Sequence, residues 1–117
     1  MGFTSEGYKK LREEVASWTH IAIVNNSGTE AFRVAKTDPR FSVISDASSN
    51  PYKFKVVISG NDSEVTIGTT TVKGIKLYNQ ATGGTALAEY TYPNPFYFND
   101  TSDTCTLEIT VEIPAMS

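Results

Sequence analysis

Residues 104–113, Thr-Cys-Thr-Leu-Glu-Ile-Thr-Val-Glu-Ile, alternate polar and apolar without a break. Successive side chains on a strand point to opposite faces. Cys105, Leu107, Ile109, Val111 and Ile113 therefore share one face, and Thr104, Thr106, Glu108, Thr110 and Glu112 the other. Such a stretch belongs to an antiparallel sheet that lies on a core with one side and meets water with the other. None of these side chains is a reactive group in a reactive setting, so the strand speaks for architecture rather than chemistry.

The same alternation recurs in residues 52–59, where Tyr52, Phe54, Val56 and Ile58 face one way and Lys53 and Lys55 the other. Residues 19–24, 31–34, 41–45, 69–72, 74–78, 85–92 and 96–98 read as further strands, with a return beginning at 65–67. The turn clusters Asn25-Asn26-Ser27-Gly28, Gly60-Asn61-Asp62 and Gly83-Gly84 fall between them, and residues 46–51 form a polar loop. Pro93-Asn94-Pro95 is expected to end a strand, because proline has no N–H to give to a ladder. Short strands at this spacing predict a mainly β protein, a single antiparallel β-sandwich of jelly-roll or immunoglobulin-like type.

One helix precedes the strands. Thr4 or Ser5 is placed to cap it, and it runs to about Ser17. Tyr8, Leu11, Val15 and Trp18 recur at helical spacing as one apolar stripe. A helix this short is marginal alone, so residues 1–18 form a helical segment that packs on the 19–117 sandwich, within one domain, or on a partner.

The 117 residues carry a net charge of −3, which argues against a nucleic-acid surface. Every Lys and Arg lies at or before Lys76; only Glu89, Asp100, Asp103, Glu108 and Glu112 carry charge after it. The chain is thus electrostatically two-sided. The N-terminus lacks the apolar run of a signal peptide, and no stretch has the length of a membrane span. A protein made in a cytoplasm, not secreted and with no membrane partner, is expected.

The chemistry-bearing residues are few. Cys105 is the one cysteine, which excludes an internal disulfide, and its place on an apolar face makes it a small hydrophobe. His20 is the one histidine and has no Cys or carboxylate at ligand spacing. No catalytic residue, cofactor or metal ligand is assigned. The acidic turns at 62–64 and 100–103 lack the full ligand series of a calcium loop. Tyr90, Tyr92, Phe96, Tyr97 and Phe98 crowd one segment. Phe96 and Phe98 alternate together and read as core, while Tyr90, Tyr92 and Tyr97 remain candidates for a contact surface.

Two segments stand out in order: Trp18-Thr19-His20-Ile21-Ala22-Ile23 after the helix, and Gly74-Ile75-Lys76-Leu77-Tyr78-Asn79-Gln80-Ala81-Thr82-Gly83-Gly84-Thr85-Ala86-Leu87 later. The aromatic segment 90–98 and the strand 103–113 follow. This layout resembles small accessory virion proteins of tailed bacteriophages. The resemblance implies a non-enzymatic structural protein located in the virion: a capsid decoration or cement protein that binds the major capsid protein and neighbouring copies as a homo-oligomer, expected to be a trimer. Tyr8, Leu11, Val15, Trp18, Tyr90, Tyr92 and Tyr97 are the candidate interface residues. The alternative is a tail-associated protein, a tail-tip or fibre module adhering to a host-surface glycan through the three tyrosines.

Overall fold

The computed structural model describes residues 3–43 and 52–111. Helix α1 (Ser5–Ala16) is followed by strands β1 (His20–Val24), β2 (Glu30–Ala35), β3 (Phe41–Val43), β4 (Tyr52–Ser59), β5 (Thr71–Tyr78), β6 (Ala88–Tyr97) and β7 (Thr104–Val111). They form two antiparallel sheets, one ordered β2-β1-β5-β6 and the other β3-β4-β7. The four-plus-three split is that of an immunoglobulin-like sandwich. The order of strands within each sheet is its own.

The alternation in the sequence becomes the two inner faces. Phe54, Val56 and Ile58 of β4 and Ile21, Ile23, Ile75 and Leu77 of the other sheet are almost wholly buried. Cys105, Leu107 and Ile109 of β7 close the core from the side. Each such side chain contributes about 1.5–3 kcal/mol of burial. Lys53 and Lys55 point outward opposite Thr110 and Glu108, so the β4–β7 ladder carries lysine and glutamate as cross-strand neighbours on its wet face.

Thr4 caps α1, its Oγ1 accepting the Gly7 N–H at 3.1 Å. The helix has no basic residue in its last turn, but Lys36 reaches over and its ammonium donates to the Ala16 carbonyl at 3.0 Å. A cation there complements the helix dipole. On its exposed face Glu6 and Lys10, four residues apart, approach to 4.0 Å. The apolar stripe is divided. Val15 and Ala16 are buried and Trp18 packs against the core, whereas Leu11 is exposed and Tyr8 meets Phe3 edge to face at 5.5 Å. The helix therefore docks through its last turn and the residues just after it.

Three local expectations are revised. Residues 65–67 form no strand; they belong to a series of turns in which Thr70 Oγ1 accepts the Thr66 N–H, and Val65 packs against the core. Residues 71–78 are one strand rather than two. Pro93-Asn94-Pro95 does not end β6. The register jumps from Gly74↔Thr91 to Val72↔Phe96, so these residues bulge out of the ladder and pairing resumes beyond them. The Lys73 ammonium donates to the Pro93 carbonyl at 2.9 Å and holds the bulge. The polar loop expected at 46–51 and the last residues of the final strand lie outside the described residues.

The outer face of the larger sheet is partly covered. Residues 79–87 connect β5 to β6, with Gly83 and Gly84 at φ of 64° and 80°, a conformation that glycine adopts freely. Arg33 binds this connection through the carbonyls of Gln80 and Gly83, each at 2.8 Å. Its guanidinium also pairs with Glu30, Nε to Oε2 at 2.7 Å.

Candidate functional site

Strand β7 pairs with β4 on one side, and β6 pairs with β5 on one side; among the described residues neither has a second partner. The two unpaired edges lie on the same flank of the sandwich. Between them runs a groove of ≈ 510 Å³ lined by Ala88, Glu89, Tyr90, Tyr92, Glu108, Ile109, Thr110 and Val111. A second hollow of ≈ 330 Å³ continues it past Tyr92 towards Phe96, Cys105 and Leu107.

The backbone of β7 is aimed at this flank in a defined way. The Gly60 N–H donates to the Asp103 carbonyl at 2.8 Å, which makes Gly60 and Asp103 a hydrogen-bonded pair just beyond the ladder. Counting from it in the register Ser59↔Thr104, residues 105, 107, 109 and 111 turn their backbone groups towards β4. Residues 104, 106, 108 and 110 turn theirs outward. The Tyr92 hydroxyl fits this phase, for it donates to the Glu108 carbonyl at 3.3 Å.

Tyr90 and Tyr92 are two residues apart on the inner side of β6, and their rings meet edge to face at 4.8 Å. Tyr90 is 50% exposed, whereas Tyr92 is half-buried and packs against the core. Burial, followed by the proximity of Cys105, Tyr90 and Glu108, pushes the Tyr92 phenol up to about 12. Tyr92 thus stays a neutral donor at physiological pH. Beyond the bulge, Phe96 and Phe98 turn inward, as the sequence leads one to expect, and meet edge to face at 4.9 Å, while Tyr97 projects outward.

The structure brings Tyr90 and Tyr92 together and leaves Tyr97 on the opposite face of β6. Among the helix candidates, Val15 and Trp18 face the sandwich, and Tyr8 and Leu11 lie away from it. The tyrosines and the helix stripe are therefore not one surface. The sequence gives no sign of the free β7 edge itself, because the alternation of residues 104–113 is the same whether a strand has one neighbour or two.

The charged turns are occupied by their own chain. Arg40 sits among three carboxylates, with Asp38 at 2.8 Å, Glu64 at 2.9 Å and Asp62 at 3.2 Å. Its hydrogen bonds hold the Asp38 and Glu64 carboxyls below their ordinary values. In the 100–103 turn, Asp103 Oδ2 accepts the N–H groups of Asn99 and Asp100, and Asp100 Oδ1 accepts that of Ser102. Among the described residues no group of three or more His, Cys, Asp or Glu side chains is arranged to hold a metal ion. His20 Nδ1 lies 2.8 Å from the Thr19 hydroxyl, and burial raises the Cys105 thiol to about 11.

A further hollow of ≈ 290 Å³ lies on the outer face of the larger sheet, bounded by residues 24–28, Lys73, Lys76 and residues 89–91. Its floor is Gly74, where an added Cβ would stand 2.6 Å from the Tyr90 carbonyl oxygen. The absence of a side chain there is a requirement of the close β5–β6 approach.

No protein-family model, no curated protein and no solved structure matches the chain. No helix among the described residues is long and apolar enough to cross a membrane.

Proposed function

We propose that the protein acts by binding, as a structural component that joins a larger assembly through the open flank of its sandwich. The observation that supports this is the eight-residue β7 edge, which has no second strand partner among the described residues and is set beside the exposed Tyr90. Unpaired strand edges are templates for other chains unless they are blunted by proline, lysine or a bulge. Strand β7 has none of these. Aromatic side chains beside such an edge supply area that a partner buries. Binding rather than catalysis is also supported by the reactive groups: Cys105 faces the core and His20 contacts its neighbour Thr19.

The concrete form of the proposal comes from the resemblance to small virion proteins of tailed phages: a decoration protein on the capsid, bound to the major capsid protein and to its own copies. Imaging of purified particles tests it. Density for the protein at regular points on the shell is expected, and its absence from the head overturns the reading. The alternative of a tail module that stacks a host glycan on Tyr90, Tyr92 and Tyr97 has less support. Tyr97 projects from the other face of β6, and the rings of Tyr90 and Tyr92 meet at 66° rather than side by side.

A further inference from the structure

We propose that the free edge of β7 accepts an extended partner segment in which basic and apolar residues alternate, added as a fourth strand to the β3-β4-β7 sheet. This rests on the reading of the flank as a binding surface and names the chemistry of what binds. Three observations carry it.

The first is the direction of the backbone. Thr104, Thr106, Glu108 and Thr110 present their N–H and C=O groups outward in the phase fixed by the Gly60–Asp103 and Tyr92–Glu108 hydrogen bonds. An incoming strand in antiparallel register meets all four.

The second is the groove. An incoming strand that pairs with β7 points alternate side chains inward, towards Tyr90, Tyr92, Ile109 and Val111. Those positions favour apolar residues. Its other side chains lie on the wet face beside Thr106, Glu108 and Thr110. Of the two glutamates in the groove lining, Glu108 lies on this wet face, whereas Glu89 pairs with Lys76 at 3.9 Å on the outer face of the larger sheet; Glu108 therefore favours a basic residue beside it.

The third is β4, which already shows what β7 pairs with. Its sequence Tyr-Lys-Phe-Lys-Val places Tyr52, Phe54 and Val56 inward and Lys53 and Lys55 outward, with Lys55 opposite Glu108. The free side of β7 repeats the arrangement of side chains that β4 meets on the paired side, because both neighbours see the same two faces. A second copy of β7 is disfavoured by the same argument, since two β7 strands bring glutamates and no basic residue to the seam.

Tyr92 acts as a latch on this edge. Its hydroxyl occupies the Glu108 carbonyl, at the long distance of 3.3 Å, and an incoming N–H replaces it.

The test is a titration of the isotope-labelled full chain with a short synthetic peptide alternating lysine and valine, followed by amide NMR. Shifts concentrated at Thr104, Thr106, Glu108 and Thr110, with slowed hydrogen exchange at those amides, are expected. A peptide with glutamate in place of lysine is expected to bind at least about tenfold more weakly. Tyr92→Phe keeps the ring, frees the carbonyl and is expected to tighten binding about two- to tenfold. Glu108→Lys is expected to reverse the preference between the two peptides. Equal binding of both peptides, shifts centred away from β7, or no shift with the lysine peptide overturns the proposal. Absence of the protein from phage heads overturns the decoration reading and leaves this titration untouched.

Discussion

The Arg33 guanidinium lies over the Tyr78 ring, 3.5 Å from its centroid. Arg33 reaches this position from β2, crosses the outer face of the larger sheet, and binds the Gln80 and Gly83 carbonyls at its far end. Its side chain is only 7% exposed. A planar, five-donor group satisfies a ring, a carboxylate and two carbonyls at once, and an ammonium cannot. Arg33→Lys is therefore expected to cost about 1–2 kcal/mol. Amide exchange should accelerate across residues 79–87 before it does in the strands. Urea denaturation and hydrogen exchange read the two effects separately.

Among the described residues, Arg40 is the one cation that pairs with Asp38, Asp62 and Glu64. Arg40→Met leaves three carboxylates facing one another and is expected to cost about 2–3 kcal/mol at neutral pH. The pH dependence has a definite sign. Hydrogen bonds from Arg40 hold Asp38 and Glu64 below their ordinary values in the folded state, so the unfolded chain takes up protons first as the pH falls. Their contribution is full above about pH 5 and is lost as the pH drops through the lower folded values. Urea midpoints measured from pH 7 to pH 3 should fall less steeply in Arg40→Met than in the parent.

Gly74→Ala forces a Cβ to within 2.6 Å of the Tyr90 carbonyl oxygen, which is backbone and cannot rotate aside. The β5–β6 ladder must part at that point. A loss of about 1–3 kcal/mol is expected, seen as a lower melting temperature with faster exchange at Thr91.

Burial raises the Cys105 thiol from 9.0 to about 11, so almost no thiolate exists at pH 8. A thiol reagent such as Ellman's is expected to leave the folded protein unlabelled at that pH. One equivalent should react once urea has unfolded it.

Among the described residues, the Nε and Nη1 atoms of Arg12 are buried without a hydrogen-bond partner. Such groups keep their desolvation cost without compensation. Arg12→Met retains the alkyl stem and removes the orphaned donors. It is expected to raise the melting temperature by roughly 4 °C, equivalent to about 1 kcal/mol.

The sandwich, the helix and its Thr4 cap were legible because each rests on a local period: two residues for β4 and β7, and three to four for Val15 and Trp18 against the sheet. The inward turn of Phe96 and Phe98 followed from the same rule. The passage of β6 through Pro93 and Pro95 did not. A proline ends pairing only where its missing N–H is needed, and an edge strand that bulges away from its neighbour does not need it. Arg33 was silent in the sequence, since its partners Gln80 and Gly83 are brought to it by tertiary folding alone. The candidate site was half legible. Tyr90 and Tyr92 were visible as an aromatic pair, but the free edge beside them is a property of strand order, which periodicity does not encode.

The Pro93–Pro95 bulge carries a consequence for growth. With β6 interrupted there and β3 only three residues long, neither offers a long straight rail to a new strand. Strand addition is thereby directed to β7 and to the six-residue β2, the other edge of the larger sheet. The bulge thus steers a partner strand away from β6 and leaves β7 as the longest unbroken edge among the described residues.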